Sequence, residues 1–160
     1  IVALGRAGHP ARPYDDPRVR VVVDDARHFF HHAEPGYDLI VFALLDSHRL
    51  LGTLSSLRLD SYVFTVESFA EARRLLAPGG VQVTAFAVGQ DWMRDRFRRM
   101  LAEVYGRPPA VVDEYGRPAD HGIVYLSGPG AEGYPAPPSP PTDPGVVPAT
   151  DDWPFVYARG

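Results

Sequence analysis

The sequence has no cysteine in its 160 residues, and this absence excludes disulfide bonds, thiolate metal sites and cysteine nucleophiles. It has no lysine either. All 16 basic residues are arginine, which we interpret as compositional bias, because the two residues are interchangeable on most solvated surfaces, although not at forked anion sites. The formal net charge of −4 argues against nucleic-acid binding, which needs a basic face for the phosphate backbone. Gly-x-Ser-x-Gly elbows and Gly-Lys-Ser/Thr phosphate loops are also missing, so hydrolase and P-loop functions have no support.

Long hydrophobic runs are absent as well: none approaches membrane-spanning length, and no signal peptide is visible. The first residues are Ile-Val-Ala-Leu rather than a methionine start, and they are typical of the middle of a helix. We therefore expect the sequence to be a fragment of a longer protein. Its length fits one domain, and its 45% hydrophobic content is sufficient for a globular core.

The hydrophobic pattern predicts strands and helices in alternation. Apolar, largely β-branched runs predict strands buried on both faces at Val19–Val23, Asp38–Phe42 and Val81–Val88. Helical periodicity and capping residues predict helices at about Ala26–Ala33, Val66–Ala77 and Trp92–Tyr105, after a short one that ends at Gly8. This alternation favours right-handed βαβ units and a parallel sheet.

Two shorter strands are predicted at Ala110–Asp113 and Gly122–Leu126. Their connection is too short for a helical crossover, so we expect an antiparallel hairpin at one edge of the sheet. The α/β domain then covers residues 1–128. Residues 129–149 are rich in proline and glycine and predict an extended linker arm, and the aromatic residues 150–160 predict a segment that docks on the core.

The first predicted strand is followed by Asp24, Asp25 and Ala26, where open α/β sheets bind their ligands. A carboxylate there can accept a hydrogen bond from an adenine amino group, and a small next residue lets the backbone N–H reach the ring edge. Either aspartate also suits the N-cap of the helix that begins near Ala26. The residue types favour capping, and the two roles can coexist on neighbouring aspartates.

Four runs together resemble the spermidine synthase (aminopropyltransferase) family in order and spacing. They are V-R-V-V-V-D-D-A-R-H-F-F, Y-D-L-I-V-F-A-L-L-D-S, S-Y-V-F-T-V-E-S-F and L-L-A-P-G-G-V, and they cover roughly Pro17 to Val83. The resemblance implies the C-terminal portion of a Rossmann-like class I methyltransferase fold, whose seven-stranded sheet ends in an antiparallel hairpin. It also implies binding of S-adenosylmethionine or decarboxylated S-adenosylmethionine as substrate, with no metal.

The same resemblance assigns the adenine-binding acid and the small residue after it to Asp25 and Ala26. It places the family's glycine-rich loop and its ribose-binding acid upstream of Ile1. The family takes a proton from the amine with the first acid of a D-x-x-D pattern, which reads Ala43-Leu44-Leu45-Asp46 here. The first acid is therefore replaced by Ala43. We expect Asp46 to hold the charge of the amine, and His48 is a candidate base, although an exposed loop histidine is the alternative.

The ending T-D-D-W-P-F-V-Y resembles bacterial spermidine synthase-like proteins that also carry many transmembrane helices. That resemblance implies a cytoplasmic domain, with a membrane region outside this chain. For Trp153, Phe155 and Tyr157 we expect an aromatic clamp that packs the ending on the core. Neither amine binding nor helix capping can be assigned to Asp151 and Asp152.

Two other clusters have simpler interpretations. His28 and His32 lie four residues apart on one helix, but no third metal ligand is evident and Phe29 and Phe30 favour ordinary helix packing. The basic residues of the last long helix predict a solvated helix face rather than an anion site; they are Arg94, Arg98 and Arg99.

Three functions remain from the sequence. The first is an aminopropyltransferase-like enzyme that uses an S-adenosylmethionine-type nucleotide and a polyamine. The second is a methyltransferase on the same fold, whose acceptor needs no enzymic base. The third is a non-catalytic nucleotide-binding domain of a membrane protein. Ala43 argues against the first, and Asp25-Ala26 is compatible with all three.

Overall fold

The computed structural model describes residues 2–43, 62–88, 90–115, 121–135, 143 and 145–159. Its helices are α1 (Val2–Gly8), α2 (Ala26–His32), α3 (Val66–Leu75) and α4 (Asp91–Tyr105). Its strands are β1 (Tyr37–Ala43), β2 (Leu76–Val88), β3 (Ala110–Tyr115) and β4 (His121–Ser127). Short 3-10 turns cover Pro13–Asp15 and Pro129–Ala131.

The four strands form one mixed sheet in the order β1-β2-β4-β3. β1 and β2 are parallel and are connected through α3, as the alternating pattern predicts. β4 runs antiparallel to both β2 and β3. The parallel pairing of the strands predicted at Asp38–Phe42 and Val81–Val88 is thus confirmed, and so is the antiparallel hairpin. β4 lies inside the sheet, and β3 and β1 form its two edges.

The predicted strand at Val19–Val23 is wrong. This segment forms no ladder with any described strand, and Val19, Val22 and Val23 are 44%, 45% and 90% exposed. A β-branched run indicates only that its side chains suit a half-buried pleated surface. A strand also needs a neighbouring strand with which its backbone can form hydrogen bonds. The β propensity of this segment alone therefore did not suffice to predict a strand.

The boundary between α3 and β2 also differs from the prediction. The helix ends at Leu75, two residues before the predicted Ala77, because Leu76 already pairs with Tyr37 in the sheet. Its start agrees with the prediction, since the Thr65 hydroxyl accepts a hydrogen bond from the Ser68 amide at 3.2 Å. The helix α4 matches its predicted range and ends at Gly106, whose φ of 72° is the left-handed conformation that favours glycine.

Helices α3 and α4 cover one face of the sheet with a core of aromatic rings. Phe42 of β1 lies 5.2 Å from Phe69 of α3, and Phe86 of β2 lies 4.2 Å from Phe97 of α4, measured between ring centroids. Tyr125 of β4 stacks on Phe97 from the same side. Fully burying one such side chain contributes about 1.5–3 kcal/mol, so this layer is the main source of stability in the described residues.

The opposite face of the sheet is apolar but poorly covered at β1. Leu39 and Val41 alternate with the inward-facing Phe42 and are 55% and 51% exposed. Their neighbours in register on β2 are Val81 and Val83, which are half-buried. Among the described residues, no helix has the length and apolar character needed to cross a membrane.

Candidate functional site at the carboxyl edge of the sheet

The beginnings of three helices meet the carboxyl edge of the parallel pair. The chain passes from the end of β2 at Val88 almost directly into α4. Helix α3 ends where β2 begins, so its first turn points back toward the carboxyl end of the strands. Helix α2 precedes β1 in the same way, and Arg27 of its first turn donates to the Thr65 hydroxyl at 3.2 Å. Open α/β sheets bind ligands at this edge.

Asp25 is the N-cap of α2. Its Oδ1 accepts hydrogen bonds from the amides of Arg27 and His28 at 2.9 and 3.0 Å. The capping role that the residue types favour is therefore confirmed. Its Oδ2 accepts no hydrogen bond from the described residues, and the residue is exposed. One carboxylate oxygen thus remains for a ligand, while Ala26 beside it is half-buried.

The neighbouring Asp24 has a different role. Its Oδ2 lies 2.7 Å from His28 Nδ1, and its Oδ1 accepts from the Asp25 amide at 2.9 Å. The hydrogen bond with His28 lowers the pKa of the Asp24 carboxyl. Asp24 therefore stabilises the turn that presents Asp25.

Arg27 forms the most connected polar group at this edge. Its guanidinium makes a bidentate pair with Asp151 at 2.8 and 2.9 Å and a second with Glu71 at 3.0 and 3.1 Å. It also donates to the Tyr62 carbonyl at 3.1 Å. The hydrogen bonds from Arg27 hold the pKa of Asp151 below its usual range, and Asp151 raises the pKa of Arg27 in return.

This pairing decides what Asp151 can do chemically. Both of its carboxylate oxygens accept from Arg27, and Oδ1 also accepts from the Thr65 hydroxyl at 2.8 Å. A carboxylate with a lowered pKa and occupied oxygens is a weak base for an amine. Asp152 is exposed and makes no hydrogen bond with the described residues.

The sequence assigned the catalytic chemistry to the residues after β1. Ala43 is the last residue of β1; it pairs with Ala85 of β2 and is exposed. Asp46 and His48 lie outside the described residues. The structure therefore brings together Asp25, Ala26 and the T-D-D-W ending through Arg27, and it gives no position for the two proposed catalytic side chains.

The aromatic ending lies against the core. Trp153 lies 5.5 Å from Phe155, and Tyr157 lies 5.9 Å from Phe86, between ring centroids. Val156 is fully buried. Part of the predicted linker packs as well, since Val146 and Ala149 are buried.

Sequence reasoning missed Arg96, which fixes this ending. Its Nε donates to the Val147 carbonyl at 2.8 Å, and its Nη1 donates to three carbonyls at 2.7–2.9 Å, those of Phe155, Val156 and Ala158. The guanidinium lies over the rings of Trp92 and Trp153, at 4.9 and 5.0 Å from their centroids. Burial lowers the pKa of Arg96 to about 10. The available signal was an arginine inside an apolar helical stripe, followed much later by an aromatic segment.

The prediction of a solvated arginine face on α4 is also wrong, because the ending of the chain packs against these arginines. Arg98 is 8% exposed and pairs with Asp95, and Arg99 donates to the carbonyls of Asp143 and Val146 at 2.9 and 3.1 Å. The segment of residues 145–159 covers this side of the helix. Arg99, which looks solvated on a helical wheel, thus binds backbone carbonyls, and Arg98 pairs with an acid of its own helix.

His28 and His32 of α2 are held by contacts within their own helix turn and cap. His28 pairs with Asp24, and His32 Nδ1 lies 2.8 Å from the His28 carbonyl. Across the residues that the structure describes, no group of three or more histidine or acidic side chains is arranged to hold a metal ion.

A scan of the sequence against models of known protein families finds no match.

Proposed function

We propose that the protein is a spermidine synthase-like domain that binds an S-adenosylmethionine-type nucleotide at the carboxyl edge of its sheet. Asp25 and Ala26 contact the adenine in this proposal. The chemistry is of the transferase type, with the usual catalytic acid replaced by Ala43. The observation that carries the proposal is Asp25: one of its oxygens caps α2, and the other is exposed at the edge where such folds bind nucleotides.

The sheet supports the finer assignment to a Rossmann-like class I methyltransferase fold. A parallel βαβ unit is followed by a hairpin whose last strand is antiparallel to the rest. The family that the sequence resembles ends its sheet with an antiparallel hairpin. The agreement concerns topology, and the function is argued from the site.

The charges at this edge favour a cationic ligand. The described helix beginnings and the ending carry the carboxylates of Asp25, Glu67, Asp91 and Asp151. Arg27 pairs with Asp151 and Arg94 lies 4.0 Å from Asp91, which leaves Asp25 and Glu67 without an arginine partner among the described residues. A sulfonium nucleotide and a polyamine are both cations, and a negative potential raises their local concentration.

The test for Asp25 uses two substitutions in the complete protein. Asp25→Ala removes both the cap and the free oxygen, and we expect it to weaken nucleotide binding by roughly 1–3 kcal/mol. Asp25→Ser keeps a capping hydroxyl but has no second oxygen for adenine. Calorimetric titration with S-adenosylmethionine and its decarboxylated form should therefore show weakened binding in both variants. Weakening in Asp25→Ala alone would reduce Asp25 to a cap.

Ala43 makes this protein a poor or inactive spermidine synthase in our proposal. General-base help is worth about 10²–10⁴ in rate, and neither an alanine nor the arginine-paired Asp151 supplies it. Ala43→Asp should raise aminopropyl transfer to putrescine, because this exposed position at the end of β1 has room for the longer side chain. Wild-type turnover on the order of 1 s⁻¹ or faster would overturn this part of the proposal.

The same observation favours a second candidate, a methyltransferase whose acceptor needs no base. Incubation with S-adenosylmethionine and a panel of acceptors, followed by detection of S-adenosylhomocysteine, separates it from the first. Tight nucleotide binding without product from either nucleotide would indicate the non-catalytic domain. From the resemblance of the ending, we propose that the domain is cytoplasmic and belongs to a membrane protein.

A further inference from the structure

Arg27 joins three parts of the chain that are distant in sequence. It lies in the first turn of α2, directly after Ala26. Its guanidinium contacts Glu71 of α3 and Asp151 of the ending, as well as the loop carbonyl of Tyr62. A guanidinium has five N–H groups in a fixed planar fork, and these acceptors engage all three of its nitrogens. The position of the first turn of α2 is therefore determined from two sides.

Asp151 is itself held in place. Its backbone amide donates to Glu67 Oε2 at 2.9 Å, and the Thr65 hydroxyl donates to its carboxylate at 2.8 Å. Asp151 lies within a turn whose ends, Thr150 and Trp153, exchange backbone hydrogen bonds. Arg96 then holds the chain beyond it through four carbonyls. The carboxylate that meets Arg27 thus has little freedom.

We infer that Asp151 is a positioning residue for the nucleotide site. It acts through Arg27 to fix the first turn of α2, and so fixes the free oxygen of Asp25 and the backbone of Ala26. Its two oxygens are occupied by Arg27, so it does not contact the ligand itself. This inference rests on the proposed function, because it gives the T-D-D-W ending a role in that same site.

The adjacent Asp152 offers a matched control. It has the same charge, but it is exposed and makes no hydrogen bond with the described residues. Asp151→Asn keeps the size of the side chain and removes the ion pair, and Asp152→Asn removes one charge without touching Arg27. A second variant, Arg27→Lys, keeps the positive charge but loses the fork that makes both bidentate pairs.

The first readout is independent of any ligand. Amide hydrogen exchange at Arg27 and His28 reports the hydrogen bonds from these amides to Asp25 Oδ1. Exchange should become faster in Asp151→Asn and Arg27→Lys and stay unchanged in Asp152→Asn. The melting temperature of each variant shows whether the fold as a whole is kept.

The second readout is calorimetric titration of the complete protein with S-adenosylmethionine and its decarboxylated form. We expect affinity to fall about fivefold or more in Asp151→Asn and Arg27→Lys, at the lower end of usual coupling strengths, and to be partly restored in Asp151→Glu. Equal affinities for Asp151→Asn and Asp152→Asn, with a wild type that binds, would overturn the inference alone. If the wild type binds neither nucleotide, the proposed function fails. The exchange rates then decide separately whether Asp151 positions the first turn of α2, and unchanged rates in Asp151→Asn would overturn this positioning role as well.

Discussion

Replacing Arg96 with methionine should release the ending of the chain from α4. Methionine has a similar length and apolar volume but no donor, so the four carbonyls that Arg96 binds lose their partner. Only the contact with Val156 is buried and the other three are part-buried, so at about 1.5 kcal/mol for each unmet carbonyl the gross loss is roughly 6 kcal/mol. Removal of a guanidinium without a carboxylate partner among the described residues recovers part of this loss.

The size of that recovery follows from the pKa of Arg96. The fall of the Arg96 pKa to about 10, caused by burial, corresponds to about 3 kcal/mol of unfavourable desolvation. The expected net loss is therefore about 3 kcal/mol, similar to the cost of breaking other buried charged contacts. Because the lost contacts all lie between α4 and this segment, we expect residues 145–159 to detach while the sheet and helices stay folded.

Tryptophan fluorescence provides a direct assay, because the protein has only two tryptophans and both rings lie against Arg96. In Arg96→Met the emission should shift to the red and acrylamide should quench it more strongly. The control is Arg18→Met, which removes an exposed arginine paired with Asp16 and should change stability by no more than about 1 kcal/mol. Unchanged emission in Arg96→Met, with stability within about 1 kcal/mol of the wild type, would refute the reasoning.

Three further predictions concern pH, solubility and backbone conformation. Because hydrogen bonds from Arg27 lower the pKa of Asp151 from 3.8, its contribution to stability is complete above pH 3.8 and is lost as the pH falls through the lowered pKa; an acid titration of tryptophan emission should show this transition, and Asp151→Asn should lack it. Val41→Lys, on the exposed apolar face of β1, should raise the solubility of the protein in a precipitation assay, and equal solubility would mean that this face does not limit it. Gly106→Ala should cost about 1 kcal/mol in chemical denaturation, because φ is 72° there, and a neutral effect would show that the cap relaxes.

Local sequence signals predicted the elements whose own residues decide them. The i, i+3, i+4, i+7 pattern ending at Gly106 located α4, and Thr65 located the start of α3. Val19–Val23 failed because a strand depends on a partner that composition does not reveal. The predicted helix end at Ala77, just before Pro78 and Gly79, was wrong because Leu76 already pairs with Tyr37 of β1.

The candidate site divides in the same way. The capping role of Asp25 could be predicted, because a cap is defined by residues two and three positions away. The pairing of Arg27 with Asp151 and the carbonyl contacts of Arg96 could not, because they join residues more than 50 positions apart. No periodicity or spacing in one sequence specifies such a contact.

The contact between Arg27 and Asp151 spans 124 positions of the chain, and this distance has a consequence for biosynthesis. At a translation rate of about 5–20 residues per second, Asp151 is made roughly 6–25 s after Arg27. During that interval α2 can form and cap itself, but the carboxylate that fixes its first turn does not yet exist. The proposed nucleotide site would therefore be incomplete until the segment around Asp151 has left the ribosome, and it would mature later than the helix cap at Asp25.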